Sequence, residues 1–130
     1  MFHTFANQEE RRFYGGSGFL ELQYCKMENG TSEKKIVSVN SIHHWQDDSL
    51  YVFADDIEQF LQNYIDIFAD GLYNNMQHGK VDVYGINYYT SSQINEYIRK
   101  IESNKPFEYS VLLNWLSRAP EYNGIYILGI

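Results

Sequence analysis

VDVYGINYYTSSQINEYIRKI, residues 81–101, changes its period halfway. Up to Tyr89 it is rich in β-branched and aromatic residues, which suit a pleated sheet, and it reads as a strand over 81–89. From there Ile94, Tyr97, Ile98 and Ile101 recur every three or four positions, the spacing of one helix face. Thr90 and Gln93 form a capping box between the two: the hydroxyl accepts from the third backbone N–H of the helix, and the glutamine accepts from the N–H of the cap. A strand that runs straight into a helix makes a sheet with helices laid on it the expected architecture.

Working outward, Pro106 opens another helix, with Val111, Leu112, Trp115 and Leu116 as its buried stripe. Pro120 ends it, Asn123-Gly124 turns the chain, and IYILGI reads as a central strand. On the N-terminal side, Thr4 to Tyr14 can form a short helix stopped by Gly15. GFLELQYCKM alternates Leu20, Leu22 and Tyr24 with Glu21, Gln23 and Cys25, a strand signature. Asn29-Gly30 is a hairpin turn signal that lets KKIVSVN return as the partner strand. LYVF at 50–53 reads as a further strand. The order of elements predicts an α+β fold: a single domain over residues 1–130, a layer sandwich in which a mixed β-sheet is covered by three to four helices. No internal repeat or linker divides the chain.

The sequence has 130 residues, 44% of them hydrophobic and 21% charged, which fits one globular domain and excludes a disordered chain. Twelve tyrosines raise the aromatic share to 17%; tyrosine suits half-buried sites, where its ring packs and its hydroxyl stays wet. The single cysteine, Cys25, excludes an internal disulfide framework and an all-cysteine metal site. There is no apolar leader and no run of apolar residues long enough to span a bilayer, so the expectation is a cytoplasmic protein with no membrane partner.

The net charge of −7 argues against direct nucleic-acid binding, which calls for a basic footprint. Its distribution is more informative. From Ile36 to Gly79 there is no Lys or Arg, and Asp47, Asp48, Asp55, Asp56, Glu58, Asp66 and Asp70 all fall there, while the remaining ten acids and ten bases cancel. Within this stretch Ile57, Phe60, Leu61, Tyr64, Ile65, Phe68 and Leu72 recur at helical spacing, which predicts one amphipathic helix begun by Asp55 or Asp56 and ended by Gly71. Asp66 and Asp70 would then be a like-charge pair four residues apart on its exposed side, at a small cost. Clustered carboxylates accelerate encounter with a basic partner, so these seven acids form the candidate partner surface.

Other chemistries find less support. YGGSGF at 14–19 lacks the Lys-Ser/Thr of a phosphate loop and precedes a strand rather than a helix. His43-His44 with Asp47 and Asp48 has a metal-site composition, yet adjacent residues of an extended chain face opposite ways, and no ligand spacing completes the set. No metal and no cofactor are therefore expected. The alternative function kept open by these residues is a small hydrolase or ligand-binding enzyme using His43, His44 and nearby Asp. A third is a structural adaptor.

"YGINYYT" leading into the capped helix, with "LLNWL…YNGIYILGI" at the C-terminal end, resembles the immunity proteins of bacterial contact-dependent growth inhibition systems, in particular those paired with ribonuclease toxins. The resemblance covers residues 81–130. It implies a small non-enzymatic cytoplasmic protein that binds the C-terminal toxin domain of its own system, as a monomer in a one-to-one complex. It transfers no catalytic residues, and contact residues in such families diverge with the toxin. The two lines meet in one expectation: an acidic, aromatic-rich surface, made of the seven acids with Tyr88 and Tyr89, that occludes the basic cleft of a nuclease.

Overall fold

IYIL, Ile125–Leu128, is the middle strand of a seven-stranded sheet in a computed structural model that describes residues 1–130. In chain order the strands are β1 (Phe2–His3), β2 (Phe19–Tyr24), β3 (Leu50–Phe53), β4 (Gly71–Leu72), β5 (His78–Gly79), β6 (Ile86–Tyr89) and β7 (Ile125–Leu128). The helices are α1 (Gln8–Gly15), α2 (Glu33–Ile36), α3 (Ile57–Tyr64), α4 (Ser91–Asn104) and α5 (Tyr109–Leu116). The spatial order is β1-β3-β2-β7-β6-β4-β5, and every pairing is antiparallel. The α+β fold is therefore as expected, with helices laid on a sheet.

Alternation along the strands sends two sets of side chains to opposite faces. One face carries Leu20, Leu22, Tyr24, Leu50, Val52, Tyr89, Ile125 and Ile127, which pack under α3, α4 and α5 in a cluster of 21 buried residues. Phe60, Tyr64 and Phe68 are wholly buried there, and Phe68 sits edge-on to Tyr89 and Tyr97 at 5.3 and 5.5 Å between ring centres. The Thr90–Gln93 capping box forms, and Ile94, Tyr97 and Ile101 of α4 are buried as the spacing predicts. Tyr24 stacks on Trp115 at 4.2 Å and donates its hydroxyl to the Trp115 carbonyl, which pins α5 to β2.

The second face carries Phe19, Glu21, Gln23, Tyr51, Tyr126 and Leu128, and is covered by α1, α2 and the loop between α2 and β3. Gly15 ends α1 against Phe53 and Phe19, where a Cβ would come within 2.6 Å of the Phe53 ring, so a larger residue would have to displace that ring. No helix is long and apolar enough to cross a membrane.

Several elements differ from expectation. The first helix spans Gln8–Gly15, not Thr4–Tyr14, because Phe2 and His3 pair with β3 and the Asn7 side chain caps the Glu10 N–H at 2.9 Å. KKIVSVN is no strand. Asn29-Gly30 does turn, with Gly30 at φ 90°, but β2 already has β3 on one edge and β7 on the other. With no edge to join, the segment forms α2, capped by Ser32, and a 3-10 turn at Val39–Ser41. The strand expected over 81–89 shrinks to β6, because Tyr84 N–H donates to the Asp82 carboxylate and Gly85 N–H to the Asp82 carbonyl, bending 82–85 into a turn. The last helix begins at Tyr109 rather than at Pro106, and Val111 is exposed instead of lining the buried stripe.

The amphipathic segment is also shorter than its pattern. Ala54–Asp56 is a 3-10 turn, α3 ends at Tyr64, and Gly71 opens β4 instead of capping a helix. Asp56 holds the cap position but its carboxylate accepts no backbone N–H. The Phe68 carbonyl accepts from Val81 N–H at 3.0 Å, a tertiary bond that turns the chain away from the helix axis.

Candidate functional site

The acidic segment does not form one patch. Asp47 and Asp48 precede β3 and Asp55 and Asp56 follow it, so a four-residue strand, about 13 Å of extended chain, lies between the pairs. Asp47 accepts from Gln8 Nε2 at 2.9 Å, and Asp48 pairs with Lys26 at 2.9 Å while its carbonyl accepts from Trp115 Nε1. Asp66 and Asp70 lie beyond α3 at the opposite edge of the sheet. They are not a helical like-charge pair: Asp66 faces Lys80 at 3.5 Å and Asp70 faces His78 at 3.4 Å. Two lysines from outside the segment, Lys26 and Lys80, thus return to it in space. Asp55, Asp56 and Glu58, around the start of α3, make no such pair, and Asp55 and Glu58 are exposed. The helix dipole favours carboxylates at that end.

Tyr88 and Tyr89 leave the candidate surface altogether. β6 lies between β4 and β7, not at an edge. Tyr88 is 2% exposed and donates to the Asn123 carbonyl; Tyr89 is fully buried between Phe68 and Tyr97. Neither ring can touch a partner in this fold.

The histidines are brought to different places. His44 lines a groove on the second face of the sheet, and His43 lines a separate, smaller depression beside Gln23 and Lys26. No three His, Cys, Asp or Glu side chains converge in a way that could hold a metal ion.

What the sequence pattern concealed is a buried carboxylate. Glu21, on the central part of β2, accepts from Trp45 N–H at 2.8 Å, Gln46 N–H at 2.9 Å, Ser49 Oγ at 2.6 Å and Gln23 Nε2 at 3.0 Å. His44 Nδ1 stands 3.6 Å away. Burial pushes the Glu21 carboxyl up, but the donors from His44, Gln46, Ser49 and Trp45 outweigh it and hold the carboxyl below its ordinary value. Beside it, burial and then the Glu21 charge push the Tyr51 hydroxyl up to about 12.

The same carboxylate holds a strained turn. Trp45 has φ 68°, the left-handed region that bulky residues avoid at a cost of about 1–3 kcal/mol. That conformation lets two successive N–H groups converge on Glu21. Arg11, only 3% exposed, places its guanidinium 4.0 Å over the Trp45 ring. The indole is thereby fixed from behind and from below, and it walls the groove of about 760 Å³ whose other sides come from Val39, Tyr84, Ile86 and Ile130. Tyr84 is 81% exposed and Val39 66% exposed. Alternation within LELQY marks Glu21 only as a residue facing away from Leu20 and Leu22; nothing local says that this second face is covered too.

No protein-family model, curated protein or solved structure matches the chain.

Proposed function

We propose that this protein binds and neutralises a toxic nuclease, in the manner of an immunity protein of a contact-dependent growth inhibition system, acting in the cytoplasm as a monomer in a one-to-one complex and without a cofactor. The observation that carries the proposal is the start of α3. Asp55, Asp56 and Glu58 stand within four residues, free of ion pairs, in a molecule whose whole excess of negative charge comes from residues 36–79. A ribonuclease needs Lys and Arg in its cleft to hold a phosphate backbone. Carboxylates fixed on a short turn and the first turn of a helix can take the place of those phosphates. Asp47 lies apart from them on the other side of β3, Asp48 and Asp66 already face Lys26 and Lys80, and Asp70 faces the His78 ring.

The test is co-expression with the ribonuclease domain of a candidate contact-dependent inhibition toxin, co-purification, and titration of its activity against added protein. The expected result is stoichiometric inhibition with an association rate that falls steeply as salt is added. Reversing Asp55 and Asp56 to Lys should weaken inhibition by about tenfold or more, the consequence of losing desolvated charge pairs across an interface. Reversing Asp66 and Asp70 should cost less. A ribonuclease domain that neither co-purifies nor loses activity overturns the proposal.

A further inference from the structure

We infer that the outer face of α1 belongs to the nuclease interface, with the Phe13 ring as an aromatic anchor framed by carboxylates and set against the Lys and Arg side chains of the enzyme's cleft. This inference rests on the function proposed above. It gives that surface the aromatic part that the buried Tyr88 and Tyr89 do not supply.

Three observations meet on this helix. The first is an aromatic ring that the fold does not use. Phe13 is 95% exposed and Tyr14 53% exposed. Tyr14 is the outward tip of a cluster that includes Phe5, Phe19 and Phe53, whose ring centres lie 5.6, 6.1 and 5.7 Å from its own. Phe13 points away from that cluster into solvent. A lone exposed apolar side chain is ordinary. An adjacent aromatic pair on one helix is of the residue type enriched at interfaces.

The second observation is rigidity. Arg11, buried at the root of the helix, donates to Gln8 Oε1 at 2.7 Å and to the Gly16 carbonyl, and Asn7 caps the first turn. The backbone that carries Phe13 is therefore fixed before a partner arrives, which lowers the cost of ordering it on binding.

The third observation selects the occupant. α1 lies along β3: Gln8 at its start donates to Asp47, and Tyr14 near its end stands edge-on to Phe53, two residues before Asp55. The acids that β3 separates are thus brought to the two ends of one helix. Between those ends, Glu9 and Glu10 precede Phe13 by four and three residues, the spacing of neighbours on a helix surface. Glu9, Glu10, Asp47 and Asp55 are all exposed and none makes an ion pair, while Arg12 is the only exposed base of α1. Lys and Arg side chains suit a ring so framed, since they can pair with the carboxylates and close over the ring face. An acidic partner would be repelled, and a second copy of this chain carries the same excess of negative charge.

Phe13→Ala is the decisive variant, since a side chain so exposed contributes little to folding; unchanged circular dichroism and melting temperature confirm that. It is titrated against the ribonuclease domain of a candidate contact-dependent inhibition toxin, beside Glu9→Lys and beside Tyr84→Ala, an 81% exposed aromatic outside α1. Phe13→Ala is expected to weaken binding by about 30-fold, the size typical of a central aromatic contact. Glu9→Lys should weaken it by about tenfold at low salt and by less at high salt. Tyr84→Ala should change it by less than about threefold. Wild-type binding with a loss under about threefold in Phe13→Ala, or with no loss in Glu9→Lys, overturns this inference and leaves the proposed function standing. A loss in Tyr84→Ala equal to that in Phe13→Ala overturns it too, because exposed apolar area anywhere would then serve. No binding by the wild-type protein overturns both. Sedimentation of the protein alone supplies the remaining arm: a dimer that Phe13→Ala dissolves would make a second copy the occupant, and that result also overturns the inference.

Discussion

The two faces of the sheet are held down by different mixtures of force. Under α3, α4 and α5 the contacts are aliphatic and aromatic, and their strength scales with the area removed from water. On the other face a smaller apolar cluster of seven buried residues, with Ile36 and Val37 against Tyr126 and Leu128, is joined by a single carboxylate that gathers two backbone N–H groups, a hydroxyl and an amide and so holds the loop over it. The first face should respond to substitution gradually, by volume. The second should respond abruptly, by the identity of one atom. An interior can thus carry a packed foundation on one side and a directional clamp on the other, and the clamp is the side that shapes the groove.

The largest expected effect tests the packed face. Phe68→Ala removes a fully buried ring from between Tyr89 and Tyr97 and should cost about 3–5 kcal/mol in urea unfolding. A loss under about 1 kcal/mol would break the contrast at its stronger end.

Glu21→Gln tests the clamp. The amide keeps the shape but turns one acceptor into a donor facing donors, and about 2–3 kcal/mol should be lost. The pH dependence has a definite sign. The folded carboxyl releases its proton more readily than the unfolded one, so its contribution is full above the unfolded pKa and is lost as pH falls through the lower, folded value. The stability gap between wild type and variant should therefore close on acidification below the ordinary glutamate range. A gap that is constant with pH would remove the charge from the explanation.

Tyr89→Phe should move stability the other way. The Tyr89 hydroxyl is buried on the apolar face with no hydrogen-bond partner, so deleting it should stabilise by up to about 1 kcal/mol. A clear destabilisation would mean that this face is wetter than its twin contrast requires. Smallest of all, Lys80→Ala loosens an exposed pair with Asp66 at 3.5 Å and should change the unfolding midpoint by less than about 0.5 kcal/mol.

Local signals survived translation into structure where the physics is local. The Thr90–Gln93 box needs only its own turn, and it forms as the sequence implies. IYIL is apolar at every position because both its faces are covered, and it is central. KKIVSVN misled because a strand needs a free edge as well as a pattern, and whether β2 has one is decided by residues about a hundred positions away. Asp66 and Asp70 misled for a similar reason: helical spacing continues to Leu72, but Val81 takes the carbonyl of Phe68 and the chain leaves the axis. Tyr88 and Tyr89 looked like surface aromatics because an edge and an inner strand can share one composition. Of the candidate site, the acids were legible as charge but not as positions, and the groove was not legible, since its key wall depends on the fate of Glu21.

The place of β7 has a kinetic consequence. To one side of it lie β2, β3 and β1, all drawn from the first half of the sequence; to the other lie β6, β4 and β5, all drawn from later. Until Ile125–Leu128 settles in, with Leu128 opposite Glu21 and Ile125 opposite Tyr89, the molecule is two half-sheets with unpaired edges and a slot about 10 Å across. Pairings that span most of a chain form slowly. Any extended segment fits an open slot of that width, including the same strand from a neighbouring molecule. Refolding yield should consequently fall as protein concentration rises, with strand-exchanged oligomers as the competing product, even though the finished sheet leaves only two short edges exposed.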